Sequence, residues 1–111
     1  MSGQDLYNEL QTLTQKLEQT LSALKKYGSQ RAQAEHDYKI GLRQEILKLR
    51  ADGQPATIVR DLCYGTPHIA KLRLERDIAE NMHMAALEAL NVYKLQIRLL
   101  DAQIEREWGK S

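Results

Sequence analysis

The side chains able to bind a soft metal or attack an electrophile are few: His36, His68, His83 and Cys63. A zinc site draws several nitrogen or sulfur donors from short, repeated spacings, and none of these four residues falls in a CxxC or HxxxH pattern. There is no Walker-type phosphate loop, no G-x-S-x-G elbow and no HExxH helix. Cys63 has only His68 near it in sequence as a base, which does not define an activated nucleophile. No catalytic, metal-binding or cofactor-binding residue is expected, and the chain reads as non-enzymatic.

Charge chemistry is the other candidate. Lys39, Arg43, Lys48, Arg50, Arg60, Lys71, Arg73 and Arg76 form the densest basic grouping, centred on the stretch GQPATIVRDLCYGTPHIAKLRLER from Gly53 to Arg76. Such a grouping attracts phosphate. Asp37, Glu45, Asp52, Asp61, Glu75 and Asp77 lie among these cations and can pair with most of them, giving an ordinary mixed-charge solvated face. Both readings stay open. Sixteen Lys and Arg against fifteen Asp and Glu leave a net charge of +1, so any charged site is local.

The elements that must position these residues are helices. Aromatic residues are scarce, Phe is absent, and the 42% apolar content rests on Leu, Ile, Ala and Met, which favour helix over strand. Leucines recur at 6, 10, 13, 17, 21 and 24 behind Ser2 and Asp5 at capping-box spacing. The stripe weakens from Tyr27 to Ala34, where Gly28 and small side chains indicate a bend or a close helix approach. It resumes at Tyr38, Leu42, Ile46 and Leu49. Beyond the joint, Leu74, Ile78, Met82, Ala86, Leu90, Tyr93, Ile97, Leu100, Ile104 and Trp108 make a second stripe. Leu72, Leu87, Leu95 and Leu99 add a second apolar line, which a two-helix hairpin leaves partly in water; these four are the expected oligomer interface.

Gly53 is suited to end the first helix, Pro55 to open a short one, Gly65 to end that, and Thr66 and Pro67 to start the next. The expected fold is all-α: an elongated antiparallel helical hairpin with coiled-coil arms over residues 5–52 and 67–108, joined by residues 53–66. It forms a single helical domain over 1–111 that pairs with a second copy into a bundle. The N-terminus lacks the basic start and apolar run of a signal peptide, and no stretch approaches the roughly 18 apolar residues of a membrane span. With one cysteine, Cys63, a reducing and hence cytoplasmic setting without membrane partners is expected.

Residues 55–76 resemble the DNA-binding helix-turn-helix family. Ile58, Val59 and Leu62 supply one inner face, Cys63, Tyr64 and Gly65 the turn, and Ile69 and Leu72 the next inner face. The resemblance implies that Thr66, Pro67, His68, Ala70 and Lys71 face the major groove and that Arg60, Arg73 and Arg76 reach phosphates. Val59 and Cys63 depart from the family, which favours Ala and Gly there. The alternative is a small structural cap closing the bundle. Separately, the runs LRADGQPATIVRDLCYGTPHIAKLRLERDIAE and ALNVYKLQIRLLDAQIEREW resemble small helical proteins from the early regions of phages and prophages. That resemblance implies an interaction module whose partner is a host or phage protein of replication, recombination or defence. Nucleic-acid binding through the joint is the alternative function.

Overall fold

Ser2 and Asp5 start the first helix as their spacing predicts. In the computed structural model, which describes residues 2–109, the Asp5 backbone N–H donates to Ser2 Oγ at 3.1 Å and the Ser2 N–H donates to Asp5 Oδ2 at 3.3 Å. Two N–H groups that a helix start leaves unbonded are thereby satisfied reciprocally. Helix α1 then runs unbroken from Gly3 to Ala51.

Its end is a Schellman turn. Gly53 takes φ 91°, its N–H donates to the Arg50 carbonyl at 3.1 Å, and the Gln54 N–H reaches back to the Leu49 carbonyl at 3.0 Å. The left-handed backbone there is open to glycine without the Cβ penalty. Pro55, which cannot continue a helix, follows one residue later. Contrary to expectation it opens a turn instead of a helix, its carbonyl accepting from the Ile58 N–H at 3.2 Å. Helix α2 is Val59–Gly65, seven residues long, and α3 is Pro67–Trp108. Thr66 alone separates them, with φ −68° and ψ 127°. A residue preceding proline is forced out of the helical region by the ring of that proline, which stops α2.

The described residues are thus all-α, with three helices and no strand. They divide into two compact units, Met1–Lys26 with Met84–Ser111 and Tyr27–His83. In each, α1 and α3 pair antiparallel. In the first unit a Cβ placed on Gly3 would lie 3.6 Å from the Trp108 ring, and Glu9, Leu13 and Lys16 share a groove with Gln96, Leu100 and Gln103. In the second, Gly28 lies against His83 and Gly41 against Ile69 and Leu72.

The seam follows an alternation of four- and three-residue steps, with further half-buried positions beside it, Leu42, Ile46 and Leu49 of the expected stripe among them. In the first unit the covered positions are Leu6, Leu10, Leu13, Leu17, Thr20 and Leu24 of α1, facing Ala86, Leu90, Tyr93, Ile97, Leu100 and Ile104 of α3. In the second they are Tyr27, Arg31, Ala34, Tyr38, Gly41 and Glu45, facing Ile69, Leu72, Arg76, Ala79 and His83. This alternation averages 3.5 residues and keeps one seam in place along a helix. The expected stripe Leu74, Ile78, Met82 advances by fours, which drifts off the seam, and these three side chains are exposed. Likewise Leu21 points outward and Thr20 takes its place.

Candidate interaction surfaces

Around the joint, the buried anchors are Val59 and Cys63, one helical turn apart on α2, and Ile69 on α3. Ile58 and Leu62, expected to face inward, are 43% and 41% exposed. On α2 the inner face is the line of Val59 and Cys63, and Leu62, about 100° round the helix from Cys63, turns outward, while Ile58 precedes the helix. Burial pushes the Cys63 thiol up from its ordinary range, the Glu45 charge acts in the same direction, and Arg60 opposes both. Such a thiol is held protonated at neutral pH and is a poor nucleophile.

The residues expected at a DNA or partner contact divide into two groups. Arg60, His68, Lys71 and Arg73 are exposed, with the Arg73 guanidinium 5.0 Å from the Tyr64 ring centroid. Thr66 and Arg76 are engaged within the fold. Thr66 does not cap α3: its hydroxyl donates to the Leu62 carbonyl of α2 at 3.1 Å, while its own carbonyl accepts the first α3 bond from Ala70. Arg76 sits at a seam position. It stacks 4.4 Å over Tyr38, donates twice to Asp77 Oδ1 at 3.0 and 3.1 Å, and lies 3.8 Å from Glu35. The Asp77 hydrogen bonds, with Glu35 behind them, hold the guanidinium charge firmly. A helix-turn-helix sets a turn of three or four residues between its helices; here Thr66 stands alone.

Sequence reasoning missed a polar section of the second unit's seam. Arg31 donates from Nη2 to Glu80 at 3.2 Å, and its Nη1 lies 3.2 Å from His83 Nδ1. Because an arginine only donates, this contact is a hydrogen bond in the His83 tautomer whose Nδ1 accepts. Gly28, Ala32, Glu35 and Arg76 complete the walls of this open groove of about 590 Å³. The clue in the sequence was register: continuing 3.5-residue steps through Arg31 and His83, despite their polarity, finds them.

The expected oligomer interface also divides. Leu72 is half-buried, with its Cδ1 filling the space beside Gly41. Leu87, Leu95 and Leu99 are 45%, 50% and 61% exposed, and Val92, at 44%, joins them. Val92, Leu95 and Leu99 repeat the spacing of a seam on an exposed side of α3, Leu99 also standing at the edge of the groove shared with Glu9, Leu13 and Lys16 of α1.

Among the described residues no group of three or more His, Cys, Asp or Glu side chains is arranged to hold a metal ion, and no helix is long and apolar enough to cross a membrane. Comparison with family models, with curated proteins and with solved structures finds no match.

Proposed function

We propose that this chain is a non-enzymatic protein-interaction module, working without a cofactor as a homo-oligomer that binds a further protein. The observation that carries the proposal is the exposed line Val92, Leu95 and Leu99, with Leu87 near it, on a helix whose other side is already occupied by α1. An apolar row at seam spacing is stabilised by burial at about 25 cal/mol per Å² of apolar surface, which a second helix supplies. The buried, protonated Cys63 supports a non-catalytic role and suits a reducing cytoplasm. On the resemblance to phage early-region proteins, the further partner is a host or phage component of replication, recombination or defence.

Sedimentation equilibrium tests the oligomer. The native chain is expected to associate at low micromolar concentration, and Leu95→Lys with Leu99→Lys to leave a monomer of unchanged helicity. A native chain that is already monomeric there overturns this reading.

The exposure of Arg60, His68, Lys71 and Arg73 favours a second reading, DNA binding through the joint. In that case Arg60→Ala, Lys71→Ala and Arg73→Ala together remove duplex binding and reduce its log–log salt slope by up to about 0.9 per lost phosphate contact. Absence of salt-sensitive duplex binding by the native chain eliminates it.

A further inference from the structure

Within the second unit, Lys39, Ile40, Leu42, Arg43, Ile46 and Leu47 of α1 and Arg60 of α2 border an open groove of about 540 Å³. Its surface is of two kinds. Leu42 and Ile46 are half-buried, and Ile40 and Leu47 stand 45% and 58% exposed beside them. Lys39, Arg43 and Arg60 supply the charge, and no carboxylate lines the groove. Lys39 is shared with Glu35 at 3.4 Å, whereas Arg43 and Arg60 enter none of the ion pairs among the described residues. They differ in this from Arg31 and Arg76, whose charges are answered inside the hairpin.

We propose that this groove receives an acidic amphipathic helix from a partner protein, its aliphatic side chains against Ile40, Leu42, Ile46 and Leu47 and its carboxylates meeting Arg43 and Arg60. The inference rests on the reading of the chain as an interaction module and specifies the chemistry of the further partner. Ile40 and Leu47 are seven residues apart on α1, a rise of about 10 Å, which matches the i to i+7 reach of a helix lying in a groove. Arg43, on the same face of α1 between Ile40 and Leu47, and Arg60, on α2, place positive charge beside that aliphatic surface, so charge complementarity sets the sign of the partner's flanks. A nucleic acid would satisfy the cations but leave the aliphatic surface without a partner, since no aromatic ring lines the groove for base stacking. A second copy of this chain fits poorly through its exposed α3 line, because Lys94 and Arg98 flank Leu95 and Leu99 and would face Arg43 and Arg60.

The test uses the full chain and fluorescence anisotropy with two designed helical peptides. Both carry leucines at i, i+3 and i+7, one with glutamate flanks and one with lysine flanks. The acidic peptide is expected to bind, more weakly as salt rises. Arg43→Glu with Arg60→Glu is expected to weaken it at least about tenfold and to transfer preference to the basic peptide, and Leu47→Asp to weaken both. Arg43, Leu47 and Arg60 are exposed, so circular dichroism should show these variants folded. Failure of the acidic peptide to bind, equal binding of both peptides, or indifference to the substitutions overturns the proposal. So does binding of the native chain to phosphatidylserine vesicles or duplex DNA in place of the peptide, lost on the same substitutions. Sedimentation of the Arg43→Glu, Arg60→Glu chain separates the two levels. Self-association retained without a peptide response rejects the groove alone, whereas a native chain that neither self-associates nor binds peptide rejects the module as well.

Discussion

A glycine inside a helix is less stable than alanine by about 1 kcal/mol, and Gly41 has a reason to be there. A Cβ at that position would stand 2.5 Å from Leu72 Cδ1 and 3.6 Å from Ile69. The contact is with the end of a side chain, so alanine is tolerable if Leu72 swings away, but anything larger must displace the α1–α3 packing of that unit. Gly41→Leu is expected to destabilise the chain by about 1–3 kcal/mol in urea unfolding through overpacking. Adding Leu72→Ala should restore part of that loss, because the two side chains compete for one space. If the two changes are additive, Gly41 is not the reason Leu72 is half-buried. Asp5 is a second residue with a defined effect. Its carboxylate is held below the usual aspartate range, first by the Ser2 hydrogen bonds. A lowered native pKa gives a contribution that is complete above the unfolded value near 3.9 and is lost as pH falls through the native value. Amide protection at residues 3–8, taken relative to the unprotected rate at each pH, should therefore fall on acidification below about pH 4, and Ser2→Ala should make that protection low and without this change in that range. Unchanged protection in the Ser2→Ala chain would show that the cap contributes nothing.

At the scale of the elements, what was legible in the sequence is what local chemistry decides. The Ser2–Asp5 start, the Gly53 stop, the Thr66–Pro67 boundary and the leucines of residues 6–24 other than Leu21 all act within a few residues of themselves. What was not legible required register. Leu74, Ile78 and Met82 are more apolar than Arg76, Ala79 and His83, yet the latter keep the 3.5-residue alternation and the former do not. Hydrophobicity alone thus selected the wrong face of the first half of α3, and with it hid the Arg31, Glu80 and His83 contacts. Ile58 and Leu62 were misassigned for a related reason: Pro55 opens a turn that ends at Ile58, which leaves Ile58 outside α2, and the inner face of α2 is the Val59–Cys63 line. The polar seam also carries a prediction. The Arg31–Glu80 pair is 39% and 42% exposed, and pairs as open as this contribute about 0–1 kcal/mol. Arg31→Leu with His83→Leu would replace it with aliphatic contact at two seam positions. Thermal unfolding of that variant is expected at the same or a higher temperature. A loss of more than about 2 kcal/mol would mean that the polar contacts hold this section together.

For the whole molecule, the proposed self-association would be linked to folding. If copies bind one another through Val92, Leu95 and Leu99, the midpoint of thermal unfolding should rise with protein concentration in the native chain. It should lose that dependence in Leu95→Lys with Leu99→Lys, because binding to the folded state alone stabilises by mass action. A midpoint independent of concentration in both would separate the exposed leucines from assembly. Leu72, by contrast, belongs to contacts within one chain, and Leu72→Ala should lower the midpoint equally at every concentration.

The chain holds a single sulfhydryl, and Cys63 is fully covered where α2 lies. It is therefore a built-in clock for the joint. A disulfide reagent can modify it only while α2 is lifted away, so the labelling rate counts those openings without any engineered probe. With dilute reagent the rate reports the equilibrium between closed and open joint; with concentrated reagent it levels off at the opening rate itself. A partner that clamps α2 would slow the clock, and one that docks elsewhere would leave it running.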